Sequence, residues 1–243
     1  MTHRTTLIAS SIPAPRLAPA VALLAGLACA GNALAQDAPL QNELRAGIYF
    51  VSYKTKADDL SGPFTPSGIN LRVGSLTTPY FAYIRHVNAD WDVELAGGVP
   101  PTAKTYGKGP ATVGSVPFND QEIATAKWFS PTLLLEYKFL DPATVVRPYV
   151  GAGINYTRFY RLRSTPAGDA ANGGPTTAKL TSSVGPAVTV GAVWQVARQF
   201  DVVASYSAAR VNSHYTSDTA GVERETHIHF NPRTWVVSVG YAF

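Results

Sequence analysis

The chain has 243 residues, 46% of them hydrophobic and 15% charged, a balance that excludes an extended disordered protein. A formal charge of +4 is too small to build a nucleic-acid surface, and one cysteine leaves no disulfide framework. With 20 Gly, 12 Tyr and 10 Phe but a single Met, the composition favours strands over helices.

The N-terminal segment reads as an export signal. Arg4 and Arg16 make its start positive, Leu17 to Ala30 is an apolar run broken only by Pro19, and Ala33-Leu34-Ala35 fits a small-x-small cleavage site. The run is shorter than the ~20 residues a spanning helix needs. Residues 1–35 are therefore expected to be removed, together with two arginines, no acid and Cys29. No later stretch is long and apolar enough for a spanning helix. If the remainder crosses lipid it must do so as a closed barrel, because every backbone amide then needs a partner other than water.

From residue 43 onward, two-residue periodicity alternates with turn-rich segments. Eight strands are expected at about 43–54, 72–87, 91–106, 121–139, 146–162, 182–196, 200–213 and 226–243. Three connections are short: Asn88-Ala89-Asp90, Asp141-Pro142 to Val145, and Ala197-Arg198-Gln199. Four are long and polar: 55–71, 107–120, 163–181 and 214–225. Long and short alternate strictly, as they do in an even-stranded barrel whose termini lie on the periplasmic side. The fold expected is all-β: one closed antiparallel eight-stranded transmembrane β-barrel with short periplasmic turns and four longer extracellular loops, occupying 36–243. Closure leaves no free edge, so a monomer is expected.

Residue faces agree with that fold. Trp235, Val237, Val239, Tyr241 and Phe243 oppose Val236, Ser238, Gly240 and Ala242, and Leu133, Leu135, Tyr137 and Phe139 oppose Thr132, Glu136 and Lys138. The apolar sets are expected to face lipid. Trp91, Trp128, Tyr137, Phe139, Phe200, Trp235 and Tyr241 fit interfacial girdles. Tyr80 to His86 is aromatic on both faces and leaves the second strand ambiguous.

The segment Arg147-Pro148-Tyr149-Val150-Gly151-Ala152-Gly153-Ile154-Asn155-Tyr156-Thr157 closely resembles the OmpW family of small outer-membrane proteins. Asp92-Val93-Glu94-Leu95, Pro131-Thr132-Leu133 to Tyr137-Lys138-Phe139, and Asn231-Pro232 through Trp235 to Gly240-Tyr241-Ala242-Phe243 follow in the matching order. The resemblance implies location in a Gram-negative outer membrane. It also implies a narrow, largely apolar lumen passing small hydrophobic molecules across the outer membrane or sideways into lipid; no enzyme activity and no cofactor are expected. The terminal Phe243 implies delivery to the barrel assembly machinery. The family's two narrowing residues fall on Ala96 and Ser207, both small here; a one-residue slip would place Tyr206 at the second.

Parity also points Arg45, Glu94, Glu136 and Arg147 inward, either as a structural ion-pair plug or as a polar constriction. With Ala96 and Ser207 they form the expected lumen lining. His227 and His229 share a strand face, and His214 sits across the intervening loop; without a Cys or an evident third ligand they make a poor metal site. An enzymatic triad has no supporting spacing, and His86 and His214 lack a neighbouring acid in sequence. Arg158, Arg161 and Arg163 stand where lipopolysaccharide phosphates would lie, before the polar Gly173-Gly174-Pro175 turn.

Overall fold

The structure, a computed structural model, describes residues 40–113 and 115–243; the export signal expected at 1–35 lies outside the described residues. In chain order the elements are β1 (Asn42–Tyr53), β2 (Lys56–Ala57), β3 (Asn70–Val73), β4 (Leu76–His86), β5 (Trp91–Gly98), β6 (Thr102–Lys108), β7 (Thr112–Val113), β8 (Val116–Pro117), β9 (Glu122–Phe129), β10 (Thr132–Lys138) and β11 (Val146–Ser164). A short helix α1 (Pro166–Asn172) follows, then β12 (Thr176–Leu180), β13 (Ser183–Ala197), β14 (Phe200–Ala209), β15 (Asn212–Thr219), β16 (Val222–His229) and β17 (Pro232–Ala242).

Eight of these close a ring in the order β10-β5-β4-β1-β17-β14-β13-β11, with β11 returning to β10. All neighbours are antiparallel, and the last strand meets the first from Glu43↔Ala242 to Tyr53↔Pro232. The ring is an inside-out protein. Ile48 (60% exposed), Leu133 (52%) and Val237 (55%) point outward, while Arg45, Glu94 and Glu136 are buried. Only an apolar solvent stabilises such an exterior. Aromatic pairs mark its lower rim: Trp91 lies 5.0 Å from Tyr137, Tyr137 5.1 Å from Phe139, and Phe200 5.2 Å from Tyr241. Tyr206 and Trp235, 4.7 Å apart, flank the upper one.

The second strand resolves as Tyr80, Ala82 and Ile84 inward and Phe81 and Tyr83 outward. Trp128 is not part of a girdle. It is buried inside, as the parity of Thr132 and Glu136 on the same expected strand demands. The expected third and fourth strands are each broken, at Val99-Pro100-Pro101 and Ser130-Pro131, where prolines withhold ladder donors.

The long connections are more structured than expected. Segment 163–181 holds α1, started by Thr165, whose Oγ1 accepts from the Gly168 amide, and ended by Gly173 at φ 84°. Segment 214–225 is no loop at all. β15 and β16 pair from Asn212↔His229 to Thr219↔Val222 around the tight Ala220-Gly221 turn. Above the ring the wall splits into two sheets, β12-β15-β16-β2 on one side and β3-β6-β9 with the upper part of β11 on the other.

Candidate functional site

The lumen has three levels, and the lowest is filled by charge. Arg45 sits at its centre, 2% exposed. Its Nε donates to Glu43 and its Nη1 donates to Glu94 Oε2 at 3.2 Å. The Tyr80 hydroxyl donates to Glu94 Oε1 at 2.7 Å. His86 sets one ring nitrogen 3.2 Å from Glu43 and the other 2.7 Å from Asp92, and Lys138 holds Asp92 at 2.9 Å. Glu136 and Asp201 are also buried and each keeps one oxygen without a hydrogen-bond partner. Gly240, the register partner of both Arg45 and Asp201, makes room: a Cβ there would overlap the Asp201 and Glu43 carboxylates. Glu43, Asp92, Glu136, Ile84, Tyr149 and Val203 are closed to solvent, so a solute cannot pass this level without displacing them.

Arg147 is directed inward at the periplasmic rim, apart from Glu94 and Glu136. Its guanidinium donates to the carbonyls of Ala89 (2.6 Å), Leu140 (3.0 Å), Phe139 (3.1 Å) and Lys138 (3.2 Å) and to Asp90 Oδ1 (2.8 Å). It is a clamp between two periplasmic turns. Arg147→Leu is expected to cost about 1.5–3 kcal/mol, the worth of charge-assisted bonds, read as an earlier urea midpoint in lipid vesicles with uptake through the folded protein unchanged.

Above the plug lies a chamber of about 110 Å³ lined by Ala96 and Ser207 together with Tyr49, Tyr80, Trp128 and Leu134. Tyr206 points out onto Trp235, which rules out the slipped register. Asn155 ties one wall together: its Nδ2 donates to Ser130 Oγ (2.9 Å) and Thr132 Oγ1 (2.8 Å), and Thr157 donates to its Oδ1 (2.8 Å). The adjoining wall has a break in its ladder. The ladder between the third and fourth barrel staves stops at Thr132↔Ala96 and resumes at Thr102↔Lys127, with no ladder pair between residues 97–101 and 128–131. Pro100, Pro101 and Pro131 bring no amide hydrogen to this seam. Gly97 and Ser130 line the chamber beside it, and a Cβ on Gly97 would meet nothing within 4 Å. Leu95, Val99, Phe129 and Leu133 are exposed around the seam, which therefore lies in the apolar band.

The third level is a vestibule of about 290 Å³ between the two upper sheets, with Ile69, Val73, Phe118, Leu162, Tyr215 and Ile228 among its walls. Tyr53, Trp128, Phe159 and Phe230 line both vestibule and chamber and form an aromatic neck. Phe159 stacks on Phe230 at 5.0 Å, and Trp128 lies 6.5 Å from Tyr49. Burial raises the Tyr215 phenol above its ordinary value, so it stays a donor.

The histidines take other roles. His214 and His227 are cross-strand partners with rings 4.7 Å apart, His214 contacts Glu225 at 3.1 Å, and His229 bonds Asn212 at 2.8 Å. Among the described residues no three His, Cys, Asp or Glu side chains converge so as to hold a metal ion. Folding brings acids to both His86 and His214: Glu43 and Asp92 to the former, and Glu225 to the latter. Each ring is held by those carboxylates.

A closed barrel with an apolar exterior, a charged lower lumen and a two-residue periodicity defines an outer-membrane β-barrel protein. The OmpW family profile matches residues 42–243, and the chain belongs to that family. Outer membrane protein W of Vibrio cholerae is 30% identical over 122 residues, which is 50% of this chain and 55% of that protein. The dibenzothiophene metabolism operon protein PahQ of Pseudomonas aeruginosa is 31% identical over 121 residues, 49% of this chain and 53% of its own length. These alignments thus span about half of the curated relatives. The crystal structure of OprG from Pseudomonas aeruginosa has the same fold, with TM-score 0.74 and 20% identity over 84% of this chain and 95% of that one. The chain is accordingly a protein of the Gram-negative outer membrane.

Proposed function

We propose that the barrel gives small, mainly apolar solutes a passive route across the outer leaflet, entering at the vestibule and leaving sideways. The observation that carries this reading is the seam. The chamber borders a stretch of wall at membrane depth where two neighbouring staves do not pair with each other, directly above a plug that shuts the straight path. Unpaired backbone is tolerated at that depth only where it lines a cavity. The aromatic neck suits flat or flexible apolar molecules, and PahQ is by its name a protein of an operon for the metabolism of dibenzothiophene, a flat aromatic compound. The reading involves no covalent step and no cofactor.

Cells making the protein are expected to take up a small aromatic hydrocarbon faster than cells lacking it, while planar bilayers containing the purified chain show little ion current. Steady ion conductance without hydrocarbon uptake refutes the sideways route. Neither current nor uptake leaves a barrel that works through its extracellular sheets. On those sheets Lys104, Arg158 and Arg163 are exposed on one outer face; Lys104 and Arg163 both flank Thr125, and Lys127 lies one row below. Such a row suits the phosphates of lipopolysaccharide.

A further inference from the structure

The vestibule wall contains one group that an apolar compartment does not tolerate. Arg224 lies on β16 with its alternate neighbours Thr226 and Ile228, all lining the vestibule. It is 9% exposed, and its Nη1 has no hydrogen-bond partner. Among the described residues no carboxylate forms an ion pair with it; the acids flanking it in sequence, Glu223 and Glu225, stand on the opposite, exposed face of the strand. A guanidinium cannot shed its charge by titration, so burial without a counter-ion is a standing cost that an anion would relieve.

The space around it has the matching shape. Apolar side chains from both upper sheets, including Val73, Ala103, Leu180 and Ile228, and from the β2–β3 connection, including Leu60 and Ile69, enclose about 290 Å³, enough for a ring system or a short chain. Tyr215 supplies a phenol donor in the same cavity, Ser217 and Thr226 supply hydroxyls, and Asp58 is the one acid on its lining. Asp58 is exposed, and its backbone carbonyl, which accepts from the Thr226 hydroxyl at 2.7 Å, ties that stretch of chain to β16.

We infer that the vestibule is a binding site for apolar molecules carrying one carboxylate, such as an aromatic monocarboxylic acid, with Arg224 as the carboxylate's partner. The inference rests on the solute route proposed above and adds a charge preference at its entrance. An Arg fork matches a carboxylate in two parallel bonds, and the apolar body fills the cavity that continues to the aromatic neck.

The test is equilibrium binding to the full chain in zwitterionic nanodiscs, followed by quenching of its tryptophan emission, with 2-naphthoate and the neutral 2-naphthalenemethanol as probes. The wild type is expected to hold the acid about tenfold more tightly than the alcohol. Arg224→Gln should erase that preference while binding the alcohol as before, Arg224→Lys should keep part of it, and Arg233→Gln, on an exposed position, should leave it intact. Heat-modifiable gel migration establishes that each variant is folded. Equal binding of the two probes by the wild type, or an unchanged preference in a folded Arg224→Gln, overturns the inference. Asp58→Asn separates a competing pairing: a stronger acid preference in that variant supports Arg224 as the anion site, and loss of the preference shows that Asp58, not Arg224, governs it. Because binding is read rather than uptake, failure here leaves the passage of neutral hydrocarbons standing, and failure of hydrocarbon uptake leaves the carboxylate preference measurable.

Discussion

Replacing Ala96 by Trp is expected to lower uptake of a small aromatic hydrocarbon on the order of tenfold while the barrel still assembles, since lumen positions tune passage more than they set stability. Ala96 stands on the chamber wall, paired with Thr132 at the last rung before the seam. On the proposed route, an indole there occupies the space that a solute needs in order to turn toward the seam. The chamber is already a void, so the larger side chain enters with less strain than it would in a packed core. Ser207→Trp, across the chamber, should act in the same direction, although Ser207 also donates to Thr189 at 3.0 Å and its loss carries a small separate cost. Ala96→Ser is the control and should pass solute normally. Uptake by Ala96→Trp equal to wild type would mean that solute does not traverse the chamber.

Only part of the lumen is legible in the sequence. The alternation Trp235-Val236-Val237-Ser238-Val239-Gly240 assigns each residue to lipid or lumen, and the structure keeps that assignment because lipid accepts only one of the two faces. The same rule applied to Thr132 and Glu136 carries back to Trp128 and would have put it inside; its bulk made it read as a girdle residue instead. Glu43, Asp92, Lys138 and Asp201 share parity with lumen positions but were not singled out beside Arg45 and Glu94. Their mutual contacts depend on strand stagger, which alternation alone does not specify. The seam was written in Pro100, Pro101 and Pro131, yet the apolar rhythm continued across them and hid the break. Arg224 was the least legible. The stretch 214–225 is mostly polar on both faces, so it reads as a polar loop. The inner face of β15, Ser213, Tyr215, Ser217 and Thr219, becomes meaningful only when a second sheet closes over it. Periodicity reads the lipid contact; enclosure above the membrane has no comparable signature.

Arg45→Met is expected to be the most damaging single change in the barrel, costing about 3–5 kcal/mol, because it strands Glu43 and Glu94 in a space closed to water. Both carboxylates lean on the guanidinium, and Glu94 keeps only the Tyr80 hydroxyl once it is gone. His86 does not compensate, being shared already between Glu43 and Asp92. Urea unfolding in lipid vesicles should show the loss, and Arg45→Met combined with Glu94→Gln should recover part of it, since the second change removes one of the stranded charges. A cost below about 1 kcal/mol would mean that water reaches the carboxylates and the plug is open. That outcome would bear directly on transport, because a hydrated lower lumen offers polar solutes a straight path that competes with the seam. A large cost with additive double-mutant behaviour would place the damage in packing rather than charge. A large cost with recovery identifies the lower lumen as an electrostatic stopper, and a stopper is what the proposed sideways exit requires.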